Sequence, residues 1–199
     1  MIDEKKLIVV SGPSGCGKDT VVKHLMALRE DVMLSVSCTT RKPRRGEVDG
    51  ADYYFVDEKE FMRRVNAGRM LEYTSYAGNM YGTPLDELEQ KLVGENIVVL
   101  IIEVKGAHNV KQHYPDSLCV FIVPPSIEAL RERLKNRSTE TDEEIERRIE
   151  IAAKELQELH FYDASIKNVV AVDCAQQLSD VIDAWQTKDS IGEKEKGTC

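Results

Sequence analysis

The sequence predicts an α/β fold: a core of parallel strands flanked by helices, with an inserted lobe and a small lid. Three observations carry that prediction. Apolar runs of strand length alternate with segments of helical period along most of the chain, the order that builds a parallel sheet with helical crossovers. One run, Ile97-Val98-Val99-Leu100-Ile101-Ile102, is apolar at every position, as a strand covered on both faces should be. Between about 36 and 87 the pattern changes to short, aromatic, hairpin-like stretches, which read as a lobe inserted into the parallel core.

The elements follow in order. Leu7-Ile8-Val9-Val10 is a buried first strand, and Val21, Val22, Leu25, Met26 and Leu28 have helical spacing. Between them lies Ser11-Gly12-Pro13-Ser14-Gly15-Cys16-Gly17-Lys18-Asp19-Thr20. Strand, glycine-rich GxxxxGK loop and helix together form a phosphate cradle: backbone N–H groups turn inward, the helix N-terminus adds its dipole, and Lys18 adds a mobile charge. Asp19 stands where a Ser or Thr usually offers its hydroxyl to magnesium, and Thr20 is the neighbouring candidate.

Met33 to Cys38 alternates like a strand and leads into Thr39-Thr40-Arg41-Lys42-Pro43-Arg44-Arg45-Gly46-Glu47. Pro43 and Gly46 keep this basic loop from becoming a helix. A short strand is expected over Asp52–Val56. Asp57-Glu58-Lys59-Glu60 has capping-box form and opens a helix to about Asn66. Met70–Tyr76 reads as a strand, turning at Gly78-Asn79 into Met80–Pro84, with Pro84 at the first helical position of a helix to about Leu92. After the apolar strand come a helix near Ala107–His113 and a strand over Leu118–Val123. Ser126 caps a helix to about Asn136, and Thr141-Asp142-Glu143-Glu144 opens the longest one, striped by Ile145, Ile149, Ala152, Ala153, Leu156 and Leu159. A last strand is expected over Asn168–Val172 and a last helix from about Gln177 to Gln186. The polar segment 188–199 reads as a disordered tail.

Composition limits the function classes. At 199 residues and 42% hydrophobic content the chain suits a single α/β domain. Thirty-five acidic against 27 basic residues give a net charge of −8, which argues against nucleic-acid binding. An anionic ligand must then be drawn by local arginines against the overall field. The five cysteines form no CxxC and have no histidines at ligand spacing, so a reducing, cytoplasmic setting is expected rather than a disulfide or zinc framework. The N-terminus enters a strand at once, without signal-peptide form, and no apolar run reaches membrane-spanning length. No membrane association is expected, and monomer and homodimer both stay open.

Two further features point to phosphoryl chemistry. Glu103 is the charged residue ending the apolar strand, where ligands of open α/β sheets gather, and a carboxylate there suits a magnesium or its waters. Arg131, Arg133, Arg147 and Arg148 flank Lys135–Glu140, which itself carries Arg137. A loop between two arginine-bearing helices can act as a lid, about 134–142, that brings charge onto a transferring group and excludes water.

These stretches resemble the guanylate kinase family from about residue 7 to about 186. The likeness rests on GPSGCGK, SVSCTTRKPRRGEVDGADYYF, LEYTSYAGNMYGTP and VPPSIEALRERLKNRSTETDEEIERRI. It implies a P-loop kinase core over about 1–35 and 88–187 and a nucleoside-monophosphate-binding lobe over about 36–87. The implied activity is Mg2+- and ATP-dependent phosphorylation of GMP, with dGMP, to GDP. The resemblance assigns Arg41, Arg44, Tyr53 and Tyr81 to the GMP phosphate and Ser37, Glu72 and Thr83 to the guanine base. The loop from Gly12 to Thr20 with Arg133, Arg137 and Arg148 meets ATP. Lys18, Arg41, Arg137 and Arg148 are expected to serve catalysis, and Thr20 and Glu103 the metal. Four positions depart from the family pattern: Asp19, Ile101 in place of an acid, Ser138 in place of the lid glycine, and Val172 where an adenine-side Asn is expected. The last puts donor preference in question. Two alternatives are a kinase of another phosphorylated acceptor, such as a ribose bisphosphate, and a catalytically silent guanylate-kinase-like binding domain.

Overall fold

A computed structural model describes residues 2–76, 78–136 and 141–196, and only the backbone over 188–196. In chain order the elements are β1 (Leu7–Ser11), α1 (Lys18–Leu28), β2 (Val32–Leu34), β3 (Cys38–Thr39), β4 (Tyr54–Phe55), α2 (Glu58–Asn66), β5 (Met70–Tyr76) and β6 (Asn79–Pro84). They continue with α3 (Leu85–Lys91), β7 (Ile97–Ile101), α4 (Val104–His113), β8 (Leu118–Val123), α5 (Ile127–Lys135), α6 (Asp142–Glu155), β9 (Ala164–Lys167) and α7 (Ala171–Lys196). Short 3-10 turns precede β1 at Glu4–Lys6 and follow α6 at Leu156–Phe161. The fold is α/β, with parallel core strands flanked by helices. Its residues gather in two compact units: the first eleven residues with 31–117, and 12–30 with residue 118 onward. This grouping differs from the core-plus-lobe division expected from the sequence.

In the first unit, β7 pairs in parallel with β1 and with β2. Leu7–Val10 and Ile97–Val99 are fully buried, which is why both strands are aliphatic throughout. The second sheet of this unit has the order β4-β3-β6-β5. The expected single strand over 33–38 is two strands, because Val32–Leu34 pair with β7 while Cys38 and Thr39 pair with β6. The chain changes sheets at Ser35–Ser37, so an unbroken alternation in sequence cannot be one ladder. The strand expected over 52–56 shortens to Tyr54–Phe55.

Phe61 of α2 fills the lobe interior, and Asp57 caps that helix by accepting the Glu60 N–H at 2.7 Å, as its position predicts. Pro84 ends β6 and is the N-cap of α3 rather than its first turn, because its ψ of 133° is extended. Helix α4 begins three residues earlier than expected, with Glu103 as its N-cap.

In the second unit β8 and β9 pair in parallel, Val120–Val123 against Ala164–Lys167. Ser126 and Thr141 cap α5 and α6 as expected, Thr141 in a complete capping box with Glu144. The two helices bury Leu130, Leu134, Ile145, Ile149 and Ala152 against one another, roughly 1.5–3 kcal/mol for each large side chain. Beyond Glu155 the predicted stripe passes into the 3-10 turn.

The C-terminal region departs most from expectation. The last strand is Ala164–Lys167, not 168–172, and α7 starts at Ala171, not near 177. Its backbone stays helical through Lys196, correcting the disordered reading for 188–196; residues 197–199 lie outside the described residues. Val169, Val170 and Val172 suggested a strand, yet all three are at least half exposed.

Candidate active site

The phosphate loop lies in the second unit and is built by backbone geometry. Lys18 opens α1, and Gly17 caps the helix in the left-handed region at φ 96°. A Cβ at Gly17 would also sit 2.6 Å from the Asn168 amide nitrogen, so both conformation and space demand glycine there. Lys18 is buried, its ammonium donating to the carbonyls of Gly12 at 2.5 Å and Pro13 at 3.3 Å. The Cys16 N–H closes the turn onto the Pro13 carbonyl at 3.0 Å.

Two arginines reach this loop. Arg133 of α5 donates to the Cys16 carbonyl at 3.0 Å and to the Asn168 carbonyl at 3.4 Å. Arg148 of α6 donates to the Ser14 hydroxyl at 3.2 Å. Arg137 and Ser138 fall outside the described residues, as do residues 139 and 140 of the expected lid. Asp19 and Thr20 are both exposed on the first turn of α1.

Asn168 was missed by sequence reasoning. It follows β9 directly and is buried, and its amide donates to the Cys16 carbonyl at 2.8 Å. An Asn after the last strand is what the resemblance expects. The apparent departure at Val172 came from placing that strand four residues too late, and with it goes the stated reason to expect altered donor preference. The missing signal was faint: of β9's four residues only Ile166 is buried.

The first unit holds a second cluster. Glu72 of β5 faces Thr83 of β6 across the antiparallel pair, and the register slips between Met70 and Glu72. Irregularities of this kind re-aim a side chain, and Glu72 is only 5% exposed. One carboxylate oxygen accepts from the Thr83 hydroxyl at 2.9 Å. The other, Oε2, is buried with no hydrogen-bond partner among the described residues. Burial pushes the carboxyl up to about 7, only partly offset by the bonds from Thr83. The wall beside Oε2 is Gly106 of α4, where a Cβ would stand 2.8 Å away. Gly106 was also missed, since nothing in a helical sequence marks a close approach from β5.

The same unit holds the residues assigned to the acceptor phosphate. The Arg41 guanidinium binds both Glu47 carboxylate oxygens, at 2.8 and 3.0 Å, and lies over the Tyr53 and Phe55 rings at 5.3 and 5.6 Å. Tyr53 meets Tyr81 edge-on at 6.1 Å. Burial would raise the Glu47 carboxyl, but Arg41 and the Arg44 N–H outweigh it and hold the group below its ordinary value. The Arg44 side chain is exposed. Ser37 is half-buried, and its carbonyl accepts the Tyr54 N–H at 2.9 Å. Thus Ser37, Arg41, Tyr53, Glu72, Tyr81 and Thr83 belong to one lobe, with Glu47 an additional member.

Glu103, between β7 and α4, has a buried Oε2 with no hydrogen-bond partner among the described residues. That orphaned oxygen fits a cation or its waters. Ile101 is half-buried at the end of β7. Among the described residues no three His, Cys, Asp or Glu side chains converge as a metal cage. No helix of the described residues is long and apolar enough to cross a membrane.

Comparison with known proteins agrees with this geometry. Residues 4–185 match the family model described as guanylate kinase. A guanylate kinase of Thermobifida fusca is 45% identical over 184 residues, covering 92% of this chain and 94% of that protein. One from Prochlorococcus marinus subsp. pastoris is 44% identical over 164 residues, covering 82% and 89% respectively. The crystal structure of guanylate kinase from Anaplasma phagocytophilum superposes with a TM-score of 0.71 at 32% identity, covering 90% of this chain and 85% of that one. A phosphate loop with its lysine, a buried carboxylate in a two-sheet unit and a family match along nearly the whole length converge: the chain belongs to the guanylate kinase family.

Proposed function

We propose that this protein transfers the γ-phosphoryl group of ATP to GMP, and to dGMP, yielding ADP and GDP or dGDP. The observation that carries the reading is Glu72. A buried carboxylate with one oxygen on Thr83 and the other without a partner among the described residues is a receptor for adjacent N–H donors. Guanine presents such a pair at N1 and N2, whereas adenine presents a lone pair at N1. A site built on those bonds rejects the analogue that lacks them.

The phosphate of GMP is held by Arg41, Arg44, Tyr53 and Tyr81, and Ser37 and Thr83 complete contact with the base. Arg41 is pre-oriented by Glu47 and by the aromatic faces beneath it, which suits bidentate capture of phosphate. ATP is held by backbone N–H groups of residues 12–17, by Lys18, and by Arg133, Arg137 and Arg148. A phosphate oxygen of GMP attacks the γ-phosphorus in line and ADP departs. The chain's own part is placement of the two anions and neutralisation of the charge spreading over the transferred group by Lys18 and the arginines. Mg2+ bound with ATP would be held by Thr20 and Glu103 and would supply further neutralisation of the phosphates.

Retention of Lys18 and of Glu72 separates this reading from a silent binding domain and from a ribose-bisphosphate kinase. The protein is further proposed to work in the cytoplasm, as monomer or homodimer, without nucleic acid. A coupled ADP-release assay with GMP, dGMP, AMP, CMP and UMP tests the reaction. Lys18→Met should lower kcat on GMP by about a hundredfold or more with little change in GMP affinity. Equal activity on all five acceptors, or full activity of Lys18→Met, would overturn the reading.

A further inference from the structure

Glu87 is the only acid on α3 that is buried, at 7% exposure, and no phosphoryl chemistry accounts for it. A carboxylate removed from water must find donors or lose its charge. Glu87 has three: the Val36 N–H at 3.2 Å, the Tyr54 hydroxyl at 2.9 Å and the Lys91 ammonium at 2.5 Å. Burial alone would raise this carboxyl, but the lysine and the two other donors win and hold it below its ordinary value. Lys91 in turn donates to the Leu34 carbonyl at 2.5 Å. The pair therefore grips both ends of residues 34–36, where the chain leaves β2 for β3.

The position of these donors gives the network its meaning. Val36 precedes Ser37 and Tyr54 follows Tyr53, so Glu87 is one residue away from two groups assigned to GMP. The Tyr54 N–H also bonds the Ser37 carbonyl, tying the two segments together. Thr83, assigned to the same base, lies four residues before Glu87 on the strand that runs into α3. We propose that Glu87, with Tyr54 and Lys91, is a positioning residue for the acceptor site: it sets the spacing of Ser37 and Tyr53 and so tunes affinity for the nucleoside monophosphate. It touches no substrate and acts through backbone and ring placement. The inference rests on the GMP reading above.

A residue that only stabilised the fold would change kcat, both KM values and the melting temperature together. A positioning residue for one substrate separates them. Glu87→Gln preserves shape but removes the charge, and Tyr54→Phe removes only the hydroxyl on Oε2, leaving the Val36 and Lys91 donors on Oε1. Each variant is compared with wild type for KM of GMP, KM of ATP, kcat and GMP affinity by calorimetry, together with the double variant. The expected result is a KM for GMP raised about tenfold in either single variant, with ATP KM and kcat within about twofold. The double variant should be little worse than Glu87→Gln, because both substitutions break one link. Unchanged GMP KM in both single variants, equal shifts for both substrates, or additive losses in the double variant would each overturn the inference. Wild type that phosphorylates GMP while the variants keep its KM overturns this inference alone. Wild type that neither binds nor phosphorylates GMP overturns the GMP reading as well.

Discussion

Glu72→Gln separates the price of a buried charge from its use. In the folded protein the Glu72 carboxyl is pushed up to about 7 from 4.5, by burial, with no charged neighbour responsible. At 1.36 kcal/mol per pK unit, keeping it ionised opposes folding by about 3 kcal/mol. The folded pKa lies above the unfolded one, so between pH 4.5 and about 7 the folded state binds more protons. Stability from this residue therefore falls as pH rises through that window and is level above it. A glutamine at this position would carry no charge at any pH. Its amide nitrogen, set beside Gly106 without a partner, costs roughly 1–3 kcal/mol whatever the pH. The pH-dependent part isolates the charge: relative to wild type, the variant should gain about 2.5 kcal/mol of stability between about pH 5 and about pH 8. Urea denaturation of both ligand-free proteins at several pH values measures this. GMP affinity should move oppositely, because the ionised form accepts guanine's N–H pair. Wild-type KM for GMP should rise up to about tenfold per unit as pH falls below about 7, and Glu72→Gln should lose that component. A stability difference that is the same at both ends of that pH range would refute the reasoning.

Two other substitutions test the half-sites separately. Gly106→Ala places a methyl 2.8 Å from Glu72 Oε2, so the carboxylate must move; KM for GMP should rise about tenfold or more and ATP KM stay put, with about 1–3 kcal/mol of stability lost. Asn168→Ala removes the amide bond to the Cys16 carbonyl, which keeps Arg133. It should raise ATP KM several-fold and lower stability by about 1 kcal/mol, leaving GMP KM unchanged in the same steady-state assay.

Much of the fold was legible because it is encoded locally. The phosphate loop needs only a buried strand, glycines and a helix start, all within Leu7–Leu28. The caps at Asp57, Ser126 and Thr141 are likewise bonds over three residues, so their sequence signature and their geometry coincide. The end of the chain failed for the opposite reason. Hydropathy favoured Val169–Val172 as a strand, but a strand needs a partner, and β8 pairs with Ala164–Lys167 instead. Three exposed valines outweighed one buried isoleucine, and Asn168 was hidden by that slip.

By itself the sequence determined the class of fold, the phosphate loop and, through long specific motifs, the family and the identity of the residues proposed to face GMP. The environment of those residues was decided only by tertiary structure. Glu72 is a carboxylate with a raised pKa because the folded chain buries it, with Gly106 of another element against one oxygen, and the bonds from Thr83 on the paired strand only partly offset that burial. Glu47, Glu87 and Asn168 read in sequence as ordinary polar residues, and they acquire roles from partners up to 152 positions away. Desolvation and hydrogen-bond satisfaction belong to the neighbours of a group, and the neighbours are set by the folded chain.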